Sequence, residues 1–232
     1  MKKLLLAGLA AFALTANVNA GSVPTLGQVF NGSIYDLEVY DSEVDTGAEV
    51  FTLTDTAGGN DQDNATAMLL FEFAGYASGN NFGIYDIADK TSTLEIFDGS
   101  DVANTSVDIY WDVNTNQVRL GGEAYTDLKI DWNNFGFYLE ETTTTGNTFY
   151  SQSALNAGAD MLAVYDVAND GYTNLWGSDL ILAWEDIVNG DSDYNDMVIG
   201  VRDISAVPLP AAVWLFGSAL LGFVGFQKRK KA

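Results

Sequence analysis

The 232-residue sequence contains no cysteine and no histidine. Without cysteine no disulfide can form, so a folded domain depends on its hydrophobic core and on any metal that it binds. The same two absences exclude a Ser-His-Asp triad, a cysteine nucleophile and a zinc site of the usual nitrogen and sulfur ligands. Oxygen ligands remain, and these suit hard cations such as calcium.

Basic residues are scarce away from the two ends of the chain. All 32 acidic residues lie between Asp36 and Asp203. Four basic residues against 32 acidic ones give residues 21–206 a formal net charge of −28. Nucleic acid and anionic membrane surfaces are therefore poor partners, whereas divalent cations or screening salt are good ones. Solubility alone is the other interpretation of this charge. The four basic residues are Lys90, Arg119, Lys129 and Arg202.

Long apolar runs are confined to the two ends. At the start, Lys2 and Lys3 precede the apolar run Leu4 to Leu14, and the small-residue stretch Val18 to Ala20 follows. This order is typical of a secretory signal, so we expect residues 1–20 to be a signal peptide and Gly21 to begin the mature protein.

The other end carries about 20 uncharged residues from Val207 to Phe226, followed at once by a basic cluster at residues 228–231. This length is enough to cross a hydrocarbon core roughly 30 Å thick. Because basic clusters prefer the cytoplasm, the acidic region is expected to face outward. The pattern predicts a transmembrane helix within a C-terminal segment, residues 207–232.

This tail resembles a PEP-CTERM-type sorting signal. The likeness consists of a proline motif, an apolar span and a basic end, in that order, with Val-Pro-Leu-Pro-Ala in place of Pro-Glu-Pro. It implies a Gram-negative bacterium, an exosortase-type processing enzyme and an exported polysaccharide. The protein would be anchored in the inner membrane before processing and would reach the cell surface or the outside after it. The motif residues are Val207, Pro208, Leu209, Pro210 and Ala211.

Between the two ends the sequence reads as short strands and turns. The apolar or alternating runs are rich in Val, Ile, Tyr, Phe and Thr, and Gly, Asn and Asp cluster between them. They predict one all-β domain at residues 21–206, an antiparallel, jelly-roll-like β-sandwich. The predicted strands are 49–55, 67–76, 92–99, 106–113, 117–122, 127–132, 160–167, 179–186 and 196–204.

One internal repeat stands out. Residues 80–86 and 133–139 share the pattern Asn-Asn-Phe-Gly-x-Tyr. Each copy predicts a polar turn followed by a glycine and large apolar residues. We interpret the copies as equivalent strands of two sheets, or as an old duplication. A paired aromatic platform for a ligand is the functional alternative.

The candidate functional stretch is the acidic segment between the strands predicted at 179–186 and 196–204. Its oxygen-bearing side chains and their one-in-two spacing predict a calcium site on a β-loop, with further ligands from Asp166, Asp170 or Asp179. The helix-loop-helix calcium template fails, because Asp196 stands where it requires glycine and Arg202 where it requires glutamate. A hairpin turn held by Asp and Asn side chains is the structural alternative. The predicted metal ligands are Glu185, Asp186, Asp191, Asp193, Asn195 and Asp196.

A second acidic stretch, residues 58–66, has a weaker pattern at Asp61, Asp63 and Asn64. We expect a plain solvated turn there.

Around the acidic segment the chain resembles the domain-of-unknown-function family numbered 4114. The likeness covers roughly residues 80 to 204 and is strongest at the Glu-Asp pair, the Gly190 loop and the Asp-x-Asp-x-Asn-Asp run that precedes an apolar strand. It implies a β-rich exported domain, often associated with adhesins, and it favours calcium. No enzymatic activity comes with it.

We therefore expect a non-enzymatic protein of the cell surface or extracellular matrix, stabilised by calcium and associated with exopolysaccharide in a biofilm. A carbohydrate-binding module or adhesin domain is the alternative, and exposed aromatic side chains would favour it. A glycoside hydrolase is the enzymatic alternative, with Glu185 as a candidate carboxylate. The candidate sugar-stacking residues are Trp111, Trp132, Trp176 and Trp184.

Overall fold

The computed structural model describes residues 23–56 and 63–207, and this part of the chain is almost entirely β-structure. One short helix, α1 (Leu26–Val29), and three single-turn 3-10 helices accompany the strands. The strands are β1 (Phe51–Leu53), β2 (Asp63–Phe71), β3 (Asn80–Asp86), β4 (Thr93–Phe97), β5 (Ser106–Asp112), β6 (Gln117–Leu120), β7 (Phe135–Glu141), β8 (Asn147–Tyr150), β9 (Leu162–Asp166), β10 (Leu180–Trp184), β11 (Met197–Arg202) and β12 (Ile204–Ala206).

These strands form two antiparallel sheets. The first has the order β12-β1-β7-β3-β4, with β8 also pairing with β7. The second has the order β6-β5-β2-β11-β10-β9. The predicted all-β class with antiparallel pairing is confirmed.

The main hydrophobic core lies between the two sheets. Both sheets contribute to it, and aromatic rings meet across the gap. The ring of Trp111 in β5 lies 5.4 Å from that of Phe135 in β7, and the ring of Phe82 in β3 lies 6.4 Å from that of Trp184 in β10. Aromatic pairs at such separations stabilise a core beyond the area they bury.

A second apolar cluster covers the other face of the second sheet. Residues of the N-terminal segment, including Phe30 and Tyr40, pack there against Phe71, Tyr165 and Ile181. The strands β9, β10 and β11 of this sheet are therefore buried on both faces, which explains why β10 reads as an uninterrupted apolar run rather than as an alternating one. The sequence did not predict this layer.

The two copies of the Asn-Asn-Phe-Gly-x-Tyr pattern lie on β3 and β7, which are neighbours in the first sheet. The interpretation of the copies as equivalent strands of two sheets is therefore wrong. In the β3–β7 ladder Gly83 pairs with Tyr138, and Tyr85 pairs with Gly136. Each tyrosine ring lies over the glycine of the other strand, where a Cβ at Gly83 or Gly136 would come within 2.6 or 2.3 Å of it. The shared pattern thus produces two reciprocal glycine–tyrosine contacts.

Two local predictions also need correction. Residues 127–132 form no strand and make only an isolated bridge between Gln117 and Lys129. Leu128, Ile130 and Trp132 still pack toward the main core. The alternation of buried and exposed side chains is therefore present, although the segment forms no strand ladder.

The second acidic stretch differs from its prediction too. Asp63 and Asn64 begin β2 and pair with Trp111 and Tyr110 of β5, and Asp63 is buried. They do not belong to a solvated turn. Asp61 lies outside the described residues.

The expected signal peptide and sorting tail lie outside the described residues, except for Val207. Its backbone N–H donates to the carbonyl of Val50. No helix in the described part of the chain is both long and apolar enough to cross a membrane.

Candidate metal centre

The acidic loop, residues 185–196, connects β10 to β11. It departs from the hairpin path by a series of tight reversals, because Asn189, Ser192 and Tyr194 all adopt positive φ angles of 63°, 60° and 54°. Residues other than glycine rarely take this left-handed conformation, least of all bulky ones. The backbone is thereby folded back so that side chains separated along the loop face one another.

Three carboxylates converge inside this loop. Glu185, Asp191 and Asp193 each place one oxygen so that the three atoms lie within 4.8 Å of one another. Glu185 is only 4% exposed, Asp193 is half-buried and Asp191 is exposed. The group therefore opens to solvent on one side, as a site that accepts a hydrated cation must.

Glu185 is held by the backbone of the loop that it faces. The N–H of Tyr194 donates to its Oε1 at 2.7 Å, and the Tyr194 hydroxyl in turn donates to the carbonyl of Asp160 at 3.1 Å. Burial raises the pKa of Glu185, the Tyr194 hydrogen bond opposes that rise, and the charges of Asp191 and Asp193 add to it. Burial and the Asp191 charge likewise raise the pKa of Asp193.

Among the described residues, no ion pair is seen between a Lys or Arg side chain and this group. The sequence has no Lys or Arg between Lys129 and Arg202, and the guanidinium of Arg202 lies 4.2 Å from the ring centre of Trp176. Three carboxylates that share a site favour either protonation or a bound cation. Oxygen-only ligands on a loop match the preference of calcium.

Two other predicted ligands lie in a different group. The Asp186 side chain, 3% exposed, accepts a 3.1 Å hydrogen bond from Nδ2 of Asn80, and its backbone N–H donates to Oδ2 of Asp196 at 2.9 Å. Asp186 thus contacts β3 of the first sheet, and Asp196 is hydrogen-bonded to the backbone of Asp186. They are not members of the three-carboxylate group.

Asn195 stabilises the turn by bonding to Asp193, two residues earlier in the loop. Its side-chain Nδ2 donates to Oδ2 of Asp193 at 2.7 Å, and its backbone N–H lies 3.4 Å from Oδ1 of the same residue. Asp193 therefore takes part both in the three-carboxylate group and in local turn chemistry, and the two interpretations of the loop are compatible at this residue.

The further ligands suggested by the sequence have other roles. Asp166 accepts from the N–H of Ala168, and Asp179 accepts from the N–H of Asp203 at 2.6 Å. Asp170 is exposed. None of the three joins the cluster that the structure forms at Glu185 among the described residues.

The tryptophans considered as sugar-stacking residues are mostly structural. Trp111 and Trp184 are fully buried. Trp132 is half-buried and donates from its indole nitrogen to the carbonyl of Val113. Trp176 is half-buried beneath the Arg202 guanidinium.

The acidic loop lies in a region of the chain that is shared with a known protein family. The sequence model of one family, described as "Domain of unknown function (DUF4114)", matches residues 76–203. The chain belongs to this family. The DUF4114 match contains the whole acidic loop and the strands on both sides of it, and it confirms the resemblance seen in the sequence. No curated protein and no solved structure matches the chain.

Two residues beside Asp186 in this DUF4114 protein were missed by sequence reasoning, Glu72 and Asn80. Asn80 had a signal, since it opens the repeated Asn-Asn-Phe-Gly pattern, but that pair was interpreted as a polar turn. It is the first residue of β3 and is fully buried. Glu72 directly follows β2 and had no distinguishing spacing.

Proposed function

We propose that this protein is a non-enzymatic, exported protein of the cell surface or extracellular matrix whose acidic β-domain binds calcium in the loop between β10 and β11. The observation that carries the proposal is the convergence of Glu185, Asp191 and Asp193 within 4.8 Å in a stretch without basic residues. Calcium there would remove the mutual repulsion and fix the loop.

Export is supported by the order of sequence features at the two ends. The expected signal peptide at residues 1–20 and the Val207–Ala211 sorting motif with its apolar span and basic end would direct the chain through the inner membrane. An exosortase-type enzyme would then release or transfer it.

The finer fold assignment is part of the same proposal. The non-sequential neighbours, with β2 between β5 and β11 and β7 between β1 and β3, support a jelly-roll-like sandwich. Folds of this kind present loops at the ends of the sheets, which is where the acidic loop lies.

Association with exopolysaccharide would follow from charge. A domain with 32 acidic and four basic residues repels an anionic glycan unless cations intervene. Calcium shared between the exposed Asp191 and a glycan carboxylate would supply that bridge. A purely aromatic sugar site has less support, because Trp111 and Trp184 are buried in the core.

The test is a thermal melt of the full chain with 2 mM calcium and with chelator. Calcium at about 100 times its Kd stabilises a protein by about 2.7 kcal/mol. At about 2–4 °C per kcal/mol for a domain of this size, the expected rise in Tm is about 5–11 °C. The double variant Asp191→Asn with Asp193→Asn should lose most of this rise.

A matched control removes the same charge elsewhere. Glu123 and Asp127 are exposed and lie between β6 and β7. Glu123→Gln with Asp127→Asn should keep the wild-type calcium response. An equal calcium-dependent rise in Tm in wild type and both double variants would refute the loop as the calcium site.

The export half of the proposal needs its own measurement. Mass spectrometry of the chain recovered from cells and from the extracellular matrix should show a start at Gly21 and an end near the proline motif. Recovery with matrix polysaccharide should fall when calcium is chelated. A chain that retains both ends in the cytoplasm contradicts this half alone.

A further inference from the structure

Gly190 lies directly against the carboxylate of Glu185 in the acidic loop. A Cβ at Gly190 would come within 2.8 Å of Oε2 of Glu185 and 3.2 Å of the carbonyl oxygen of Ile187, whereas ordinary van der Waals contact begins at 3.4 Å. An alanine at this position would therefore displace the Glu185 carboxylate by about 0.6 Å.

The backbone conformation does not require glycine here. The φ of Gly190 lies outside the left-handed region, the residue is exposed, and its N–H donates to the carbonyl of Ile187 at 3.1 Å. Alanine carries the same N–H donor and does not need the left-handed freedom that glycine provides. What a side chain at Gly190 would disturb is the Glu185 carboxylate.

The backbone of the following residues holds the same carboxylate by hydrogen bonds. The N–H of Tyr194 donates to Oε1 of Glu185 at 2.7 Å, and the N–H of Ser192 also hydrogen-bonds to Glu185. Tyr194 and Ser192 have positive φ angles of 54° and 60°. Backbone N–H groups turned toward one point in this way form a concavity that binds anions. The Glu185 carboxylate is thus held by N–H donors and packed closely against Gly190.

The side chain of Tyr194 anchors this arrangement to the body of the domain. Its ring is 7% exposed within the second apolar cluster, and its hydroxyl donates to the carbonyl of Asp160 at 3.1 Å. A bulky residue with a positive φ persists only where its surroundings hold it there. The N–H that binds Glu185 is therefore placed by a buried ring.

We propose that Gly190 and Tyr194 are positioning residues of the calcium site. Together they fix the Glu185 carboxylate so that it faces Asp191 and Asp193. This role rests on the calcium binding proposed above. A carboxylate that is held in place before the ion arrives loses less freedom on binding, so the ion binds more tightly. Because calcium–oxygen distances span only about 2.3–2.6 Å, a displaced carboxylate is a poorer ligand.

Gly190→Ala separates the position of the ligand from the stability of the fold. The atom nearest the added Cβ is the free end of the Glu185 side chain, which can move, so with chelator the Tm should stay within about 2 °C of wild type. Calorimetric titration of the metal-free full chain with calcium should show a Kd raised about 10- to 100-fold. Gly75→Ala, where a Cβ meets nothing within 4 Å, should keep the wild-type Kd.

Tyr194→Phe tests the anchor. It removes the hydroxyl bond to Asp160 but keeps the ring and the backbone N–H, so the calcium Kd should rise about two- to tenfold. A Tyr194 that only stabilises the fold predicts a different result, namely an equal loss of Tm with calcium and with chelator and an unchanged Kd.

The outcomes distinguish the positioning role from the function on which it rests. If wild type binds no calcium that Asp191→Asn with Asp193→Asn abolishes, both are refuted. If wild type binds calcium in the loop and both Gly190→Ala and Tyr194→Phe keep the wild-type Kd, the positioning role is refuted and the calcium site stands. A Gly190→Ala protein that does not fold also contradicts the positioning role, since the displaced atom is the end of a side chain.

Discussion

The reciprocal glycine–tyrosine contacts between β3 and β7 give the sharpest stability prediction. Gly136→Ala would place a Cβ 2.3 Å from Cε1 and 2.4 Å from Cζ of Tyr85, where ordinary contact begins at about 3.4 Å. The ring or the strand must therefore move by about 1 Å.

Tyr85 has little freedom to give way. It is 0% exposed, its ring lies 5.0 Å from that of Tyr150, and its hydroxyl donates to Oε1 of Gln152 at 3.1 Å. Overpacking in a well-filled site costs about 1–3 kcal/mol, and this rigid case should lie at the upper end. At about 2–4 °C per kcal/mol, we expect the Tm to fall by about 4–12 °C.

Thermal unfolding followed by circular dichroism measures this directly. Gly75→Ala is the matched control, because the φ of Gly75 lies outside the left-handed region and a Cβ there meets nothing within 4 Å. Adding Tyr85→Leu to Gly136→Ala should cost less than the sum of the two single changes, since the smaller side chain removes the clash. A Gly136→Ala protein that melts with wild type, or strict additivity with Tyr85→Leu, would refute the packing argument.

Three further predictions test other layers of the structure. Glu141 accepts hydrogen bonds from the backbone and hydroxyl groups of Thr143 and Thr145, which outweigh the opposing effect of burial and lower its pKa from 4.5 to about 2. A lowered pKa contributes stability above pH 4.5 that is lost as the pH falls toward 2. Glu141→Gln should therefore cost about 1–3 kcal/mol at pH 7 in urea unfolding, and the gap from wild type should close between pH 4.5 and pH 2; a gap independent of pH contradicts this. Phe30→Ala should cost about 3–5 kcal/mol because the ring is fully buried under the second sheet, whereas Ile34→Ala, at a side chain 94% exposed, should change stability by less than about 0.5 kcal/mol. Raising sodium chloride from about 10 mM to 0.5 M in chelator should raise the Tm, because screening weakens the repulsion among 32 acidic and four basic residues; a Tm that falls would show that the net charge does not limit stability.

The strand content was predictable because alternation and β-branched residues report local burial. Most predicted runs contain a strand, as residues 106–113 contain β5 and residues 160–167 contain β9. Residues 127–132 show the limit of the method. Leu128 and Ile130 pack toward the core from a segment that makes a single isolated bridge, so burial alternates there without a strand ladder.

Pairing across the chain was not predictable in the same way. The repeat at residues 80–86 and 133–139 correctly marked two related strands, but whether like strands lie side by side or in opposite sheets depends on contacts that a single sequence does not record. The N-terminal layer was missed for the same reason, since α1 is a single turn and Phe30 gains its partners only when the second sheet is present.

The acidic loop was found from composition, and its division into two groups follows from strand geometry. In β10 the side chains of Leu182 and Trp184 point into the main core, while those of Ile181 and Ala183 point into the outer layer. Successive side chains of a strand alternate between faces. Continued past the end of β10, that alternation sends Glu185 toward the outer layer and the next residue toward the gap between the sheets.

This alternation also resolves an electrostatic difficulty. Six oxygen-bearing side chains at one point would concentrate five carboxylates, more than a divalent ion neutralises. With Glu185 and Asp186 on opposite faces, the loop group has three carboxylates, Glu185, Asp191 and Asp193. Asp186 instead accepts from Asn80 and donates its backbone N–H to Asp196. If calcium binds the loop group, carbonyl, amide and water oxygens would complete its shell of six to eight ligands. The adjacent acidic pair at the end of β10 therefore contributes one carboxylate to the loop group and one to the contact with β3 of the first sheet, which halves the charge that the pair would otherwise concentrate at one point.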